Sequence, residues 1–177
     1  IREESLVDED LKQIFKSFPK SAHPMGVLSS LTSALIAFNP QNETKISLND
    51  KEGVSADDKM YISTVRLLAK FPIMSSWTLR KIKGLPLNYS NNNLSYTENI
   101  AYMMFAKPNQ EYVQNDIIVN ALNTLLILHA DHEQNCSTST VRIVGSSYAG
   151  LYASISAGIS ALWGRLHGGA NQAVIEM

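Results

Sequence analysis

Apolar residues recur at helical spacing along almost the whole chain. The first predicted helix carries one apolar face and stops before Pro19; that face is formed by Leu11, Ile14, Phe15 and Phe18. Asp8 or Asp10 is the expected N-cap, since a short carboxylate accepts from the first free backbone N–H groups. A second helix is expected from Pro24, whose fixed φ suits a first helical turn, to Asn39-Pro40.

The next stretch is polar and then helical again. Residues 40–54 contain Pro, Asn, Asp and Gly and predict a solvated loop. Ser55, with Asp58 three places on, forms a variant capping box for a helix that should end at Phe71-Pro72. A separate helix is predicted from Pro72 to about Lys83, stopped by Gly84, with basic residues in its last turn as the helix dipole favours.

The second half continues the helical pattern. Residues 85–93 hold Pro86 and several asparagines and predict a loop, whereas 94–105 and 116–129 predict helices. No segment alternates apolar and polar residues over a sustained length, so a sheet is not expected. The predicted fold class is all-α, a packed bundle of many helices.

A charge-free stretch runs from Ile143 to Gly164 and is long enough to cross a bilayer. Its many serines and glycines lower its hydrophobicity below that of a typical span, so we interpret it as a buried helix of a non-membrane protein. From Gly145 onward small residues dominate, and these let helix axes approach closely. We therefore expect this helix to be deeply buried between others or at a subunit contact.

Composition removes several classes of function. The chain has 177 residues, of which 45% are hydrophobic, so it buries a core as one domain or as part of a larger one. Its net charge of −1 leaves no broad basic face for nucleic acid. Cys136 is the only cysteine, which rules out an internal disulfide and fits a reducing compartment. The start Ile1-Arg2-Glu3-Glu4 has no signal-peptide pattern, so we expect a cytoplasmic protein, with residues preceding Ile1.

Two histidine segments carry the candidate chemistry. The first is His129-Ala130-Asp131-His132-Glu133-Gln134-Asn135-Cys136-Ser137, and the second is Leu166-His167-Gly168-Gly169-Ala170-Asn171. Each closes a long apolar stretch and is followed by small or amide-bearing residues. This places an imidazole at the end of an element beside backbone N–H groups, where catalytic polar groups tend to lie.

His167 is the stronger candidate of the two. Gly168-Gly169 relaxes the backbone after it, and the following residues predict a helix start. The positive end of a helix dipole favours an uncharged imidazole, which can donate a hydrogen bond to a carbonyl oxygen that is becoming an enolate. Such stabilisation is what removal of a weakly acidic methyl proton requires. The alternative is that His167 merely packs at a turn.

Two other chemistries are weaker. His129 and His132 lie three positions apart beside acidic residues, but no third ligand stands at a recognisable spacing, so no metal site is predicted. The segment Gly145-Ser146-Ser147-Tyr148-Ala149 falls one residue short of a nucleophile elbow and does not follow a strand, which argues against a hydrolase. His23, between Ala22 and Pro24, is typical of a helix cap or a surface residue.

The paired segments closely resemble citrate synthase, especially its bacterial branch, and the resemblance runs from Ser21-Ala22-His23-Pro24-Met25 to Asn171. It implies that His167 donates to the thioester carbonyl of acetyl-CoA and that His132 binds oxaloacetate. Asn135 aligns with a family position beside these rings and is assigned to substrate binding. Ser137 is expected to orient His167 and to fix its tautomer. No cofactor is implied, since acetyl-CoA is a substrate.

The resemblance also implies what the chain omits. The family continues beyond the Leu-His-Gly-Gly-Ala-Asn segment into a smaller helical domain that supplies a second catalytic histidine, the aspartate base and the arginines that hold oxaloacetate. Arg142 and Arg165 lie outside the matching positions and are not expected to replace them. We therefore expect residues 1–177 to be the N-terminal part of the large domain, inactive alone.

The expected activity is condensation of acetyl-CoA with oxaloacetate to citrate and CoA. A close alternative is 2-methylcitrate synthase, which uses propionyl-CoA; an alternative of another class is a non-catalytic helical dimerisation fragment. The family acts as a homodimer or, in part of the bacterial branch, as a hexamer, and the small-residue helix near Gly158 is the expected contact. His23 matches a region that forms a nucleotide regulatory site in some bacterial members, whereas Asn109 replaces a cysteine of some regulated ones.

Overall fold

A computed structural model describes residues 1, 3–39, 56–130 and 133–177. Within these ranges every regular element is helical, which confirms the predicted all-α class. A short 3-10 turn at Glu3–Ser5 precedes the α-helices, which are α1 (Glu9–Ser17), α2 (Pro24–Phe38), α3 (Ala56–Lys83), α4 (Tyr96–Phe105), α5 (Asp116–Ala130), α6 (Cys136–Gly145), α7 (Leu151–Leu162) and α8 (Gly168–Glu176). The predicted loop at 40–54 and the Ser55 cap lie outside the described residues.

One apolar core joins α1, α2, α3, α4 and α7. Trp77 of α3 lies at its centre with 1% of its surface exposed, and its ring centroid is 5.6 Å from that of Phe15. The indole N–H donates to the carbonyl of Asn88 at 2.7 Å, so the buried ring keeps no unpaired polar atom. The other core residues include Leu11, Leu31, Leu35, Ile73, Met74, Met103, Tyr152 and Ile159.

The first two helices begin as the sequence predicts. The Asp8 side chain accepts from the backbone N–H of Asp10 at 2.8 Å and caps α1. Pro24 occupies the first turn of α2, and His23 Nδ1 accepts from the N–H of Met25 at 3.2 Å, so His23 is a cap. Both helices are therefore fixed by local hydrogen bonds at their first turn.

A capping box, which was not predicted from the sequence, starts α4. The backbone N–H of Ser95 donates to Glu98 Oε2 at 2.7 Å, and the Ser95 side chain caps in return. Hydrogen bonds from Ser95, and then from Gln114, lower the pKa of Glu98 from its ordinary value. The helix thus begins at Tyr96, two residues later than predicted.

The predicted break at Phe71-Pro72 is wrong, because α3 runs unbroken through Pro72. Proline has no N–H to donate to the carbonyl four residues earlier, which is that of Leu68. The Tyr96 hydroxyl, at the start of α4, donates to this carbonyl at 3.0 Å. A hydrogen bond from another helix therefore replaces the one that proline removes.

A buried arginine joins α3 to the end of α4. Arg80 has no exposed surface, and its guanidinium donates to the carbonyls of Pro86, Met103, Met104 and Ala106. The last carbonyls of a helix have no partner within it, so this cation satisfies the C-terminus of α4 and complements its dipole. Burial lowers the pKa of Arg80 from its ordinary value.

The predicted single helix over Ile143–Gly164 is also wrong. Residues 146–150 form a turn between α6 and α7, with positive φ at Tyr148 (59°) and Gly150 (87°). Of these two helices, α7 is the deeply packed one. It lies between α2 and α6 and buries Tyr152, Gly158 and Ile159. Among the described residues, no helix is both long and apolar enough to span a membrane.

Candidate functional site

His167 lies immediately before α8, after the turn that follows α7. Its backbone N–H donates to the carbonyl of Gly164 at 2.9 Å, and its own carbonyl accepts from the N–H of Ala170 at 3.1 Å. The half-buried imidazole makes no capping hydrogen bond to α8. The ring thus stands at a helix N-terminus, as predicted, with its backbone fixed by two local hydrogen bonds.

The two glycines after His167 differ in how much space a side chain would find at each position. A Cβ at position 168 would collide with the backbone carbonyl oxygen of Leu162, whereas at 169 the nearest atom would be Gly164 O at 3.7 Å. Only glycine lets the chain pass so close to the end of α7 at position 168. This close approach determines the position of His167, the N-cap of α8, relative to the end of α7.

The predicted partners of His167 lie at the start of α6. The Asn135 side chain caps this helix, since its Oδ1 accepts from the N–H of Thr138 at 2.8 Å. Ser137 Oγ donates to the same Asn135 Oδ1 at 2.8 Å and lies 3.0 Å from His167 Nε2. Asn135, Ser137 and His167 therefore form one hydrogen-bonded chain between the starts of α6 and α8.

Close packing of α6 on α7 brings these two starts together. Gly158 is buried in α7, and a Cβ there would lie 2.6 Å from Val141 Cγ2 and 3.6 Å from Ser137 O. On the opposite side, α7 is held to α2 by serine hydrogen bonds, among them Ser29 Oγ to Ser160 Oγ at 2.7 Å. Small residues thus position α6, and with it Ser137, relative to His167.

His129, the described histidine of the first segment, does not join this chain of contacts. His132 and Asp131 lie outside the described residues, so the substrate-binding role of His132 stays a prediction. His129 is exposed, and its Nδ1 lies 2.7 Å from Leu125 O of its own helix. In the ranges described, no group of three His, Cys, Asp or Glu residues is arranged to hold a metal ion.

An open cleft of about 540 Å³ lies beside the site, between the start of α2 and the first turns of α8. Its lining includes Gly168 and Gly169. The rings of His23 and Trp163 stack at its edge, with centroids 4.9 Å apart, and Trp163 is 48% exposed. No pattern in the sequence predicts this pairing, because its two partners are far apart along the chain and neither helix pattern specifies the other.

Comparison with known proteins gives consistent matches. A family profile described as "Citrate synthase, C-terminal domain" matches residues 1–177. Citrate synthase 1 of Mycobacterium tuberculosis is 48% identical over 177 residues, and the alignment covers 100% of this chain and 39% of that protein. Citrate synthase of Corynebacterium glutamicum is 47% identical over 182 positions, which cover 100% of this chain and 38% of that protein. The chain thus spans about two fifths of the length of these relatives.

Solved structures agree with the sequence matches. The crystal structure of citrate synthase from Pyrobaculum aerophilum has a TM-score of 0.86 and 28% identity, covering 99% of this chain and 42% of that one. That of citrate synthase from Thermotoga maritima has a TM-score of 0.76 and 25% identity, covering 99% and 41%. Assignment to the N-terminal part of the large domain stays a prediction. The profile match over the whole chain, with close relatives at 47% and 48% identity, shows that this chain belongs to the citrate synthase family.

Proposed function

We propose that the protein carrying these residues is a citrate synthase, which condenses acetyl-CoA with oxaloacetate to citrate and CoA. The observation that carries the proposal is the contact of 3.0 Å between Ser137 Oγ and His167 Nε2, in a chain of this family. The contact engages one ring nitrogen of a histidine at a helix N-terminus. The other nitrogen, Nδ1, is then the one that would serve a substrate.

His167 would act on the acetyl thioester. As a base supplied by another part of the protein takes a methyl proton, negative charge gathers on the thioester oxygen, and an Nδ1–H donor would stabilise it. The methyl carbon then forms the new bond to the keto carbon of oxaloacetate, whose C=O π bond breaks as the keto oxygen takes up a proton. Water cleaves the thioester and releases CoA and citrate. When its hydroxyl donates to Nε2, Ser137 would hold the imidazole in the tautomer and direction this step needs.

Oxaloacetate would bind beside this ring, through His132 and Asn135. The position of Asn135 supports this role, because Ser137 Oγ contacts both the Asn135 side chain and the His167 ring. Its Oδ1 accepts from two donors of α6, the Ser137 hydroxyl and the Thr138 N–H. No cofactor enters the proposal, since acetyl-CoA is consumed as a substrate.

We further propose a cytoplasmic homodimer, in which either the rest of the complete polypeptide or a second copy covers the apolar face of α5. Gly158 of α7, near the contact expected from the sequence, packs against Val141 inside the chain. In contrast, α5 is strongly apolar yet buries none of its residues. Ile117 is 80% exposed, and Ile127 and Leu128 are each 64% exposed, a pattern typical of interaction sites.

The test is release of free CoA from acetyl-CoA by the complete protein. CoA should appear only when oxaloacetate is added, and His167→Ala should lower kcat by roughly 100- to 1000-fold, the cost of removing an oxyanion donor. His129→Ala is the matched control, because this exposed ring contacts only the carbonyl of its own helix in the described part of the chain. An unchanged rate in His167→Ala would reject the assigned role.

Two further outcomes decide between the alternatives. A higher kcat/KM for propionyl-CoA than for acetyl-CoA would identify a 2-methylcitrate synthase. Absence of CoA release by a folded complete protein, with either thioester, would favour the non-catalytic helical fragment.

A further inference from the structure

Besides its expected contact with substrate, Asn135 accepts two hydrogen bonds from residues of α6. Its Oδ1 accepts from the Thr138 N–H and from the Ser137 hydroxyl, each at 2.8 Å. The bond to Thr138 ties this oxygen to the first turn of α6, so its position is fixed. Ser137 therefore has a rigid acceptor on one side and His167 Nε2, at 3.0 Å, on the other.

A count of protons links Asn135 to His167. A serine hydroxyl has one hydrogen, and a neutral imidazole has one N–H. When the Ser137 hydrogen points to Asn135 Oδ1, the only hydrogen left for the contact with His167 is one on Nε2. The neutral ring then carries no hydrogen on Nδ1, which becomes an acceptor.

The proposed reaction needs the opposite arrangement. A donor to the thioester oxygen requires the hydrogen on Nδ1, and Nε2 must then accept from the Ser137 hydroxyl. The hydroxyl reaches this state by turning from Asn135 Oδ1 to His167 Nε2, while the ring loses a proton from Nε2 to water and gains one at Nδ1. Asn135 competes with His167 for a single hydrogen.

We propose that Asn135 is a positioning residue which, through the Ser137 hydroxyl, sets the nitrogen of His167 that carries the proton. At rest it holds the ring in the Nε2–H tautomer, and release of the hydroxyl from Asn135 produces the donor at Nδ1. The role of this switch in the reaction rests on the proposed function. The prediction that the resting ring is the Nε2–H tautomer does not.

The experiment compares two substitutions that both keep the cap of α6. Asp and Ser are strong N-caps, so Asn135→Asp and Asn135→Ser should both fold, as far-UV circular dichroism would verify. Aspartate keeps an oxygen for Ser137 as well as for Thr138. Serine caps with a shorter side chain and withdraws the oxygen from Ser137. A role in capping alone would leave His167 the same in both variants.

The readout is the imidazole nitrogen chemical shifts of the complete protein with isotopically labelled histidine, at a pH where the rings are neutral. The signal missing from His167→Ala assigns the ring. Asn135→Asp should keep the Nε2–H tautomer, and Asn135→Ser should move the tautomer ratio toward Nδ1–H by roughly two- to tenfold, the effect of one hydrogen bond.

Ser137→Ala provides the control. In that background Asn135→Ser should leave the His167 shifts unchanged, because the hydroxyl that connects the two residues is gone. The proposal is overturned if Asn135→Ser keeps the native tautomer, if both variants shift alike, or if the shift persists without the Ser137 hydroxyl. Since no step depends on turnover, failure of the citrate synthase assignment would appear separately, in the CoA assay.

Discussion

Replacing Gly158 by alanine tests whether close packing of α6 on α7 builds the site. The added Cβ would lie 2.6 Å from Val141 Cγ2, a separation that real side chains do not show. Valine in a helix has one strongly preferred rotamer, so it cannot turn away cheaply. Relief of the clash must therefore come from a shift of α6, the helix that carries Ser137.

The magnitude follows from two opposing effects. Overpacking of a well-packed site costs about 1–3 kcal/mol, whereas alanine in place of a helix-interior glycine gains about 0.5–1 kcal/mol. Gly158→Ala should therefore lower the free energy of unfolding by about 1 kcal/mol, the difference between the midpoints of these two ranges. Gly26→Ala is the matched control: its Cβ would meet the Trp163 ring at 3.4 Å, an ordinary contact, so the gain in helix propensity should be retained.

The assay is urea unfolding followed by far-UV circular dichroism. In a Val141→Ala background the clash is absent, so adding Gly158→Ala should be neutral or stabilising there. The reasoning is refuted if Gly158→Ala alone is as stable as the native chain, or if its cost is undiminished without the valine methyls.

Four other substitutions test single positions. Gly168→Ala should impair both stability and CoA release, because its Cβ meets a backbone oxygen that cannot move, whereas Gly169→Ala should be mild in thermal melts and activity. Tyr96→Phe should lower the free energy of urea unfolding by about 0.5–1.5 kcal/mol, since the carbonyl of Leu68 loses the hydroxyl that donates to it in place of the backbone N–H that Pro72 lacks. The pKa of Glu98 is lowered by folding, so its contribution is complete above about pH 4.5 and is lost as the pH falls further; Glu98→Gln should flatten this part of the stability profile.

Each of these has a clear contrary result. Equal behaviour of the two glycine variants would show that the turn before α8 adapts to a side chain. An unchanged urea midpoint in Tyr96→Phe would mean that water serves the carbonyl equally well. A pH profile of Glu98→Gln that matches the native one would assign the acid transition to other carboxylates.

The helices at the start of the chain were predictable because their signals are local. Asp8, and Pro24 after His23, act within one turn, so the residues that cap α1 and α2 are neighbours in sequence. Apolar spacing likewise predicted α5, although not that it would bury none of its residues. The contact of Ser137 with His167 was expected from family resemblance, since nothing in the spacing of the two residues specifies it.

What the amino-acid sequence alone determined is therefore the helical class, the caps of α1 and α2 and the residues worth testing. The tertiary structure decided that α3 passes through Pro72, because a hydroxyl from α4 supplies the missing donor. It also decided that residues from Ile143 to Gly164 divide into two helices, and which atoms face His167 Nε2. Capping and periodicity act over a few residues, whereas these outcomes depend on distances between segments that only the packed chain fixes.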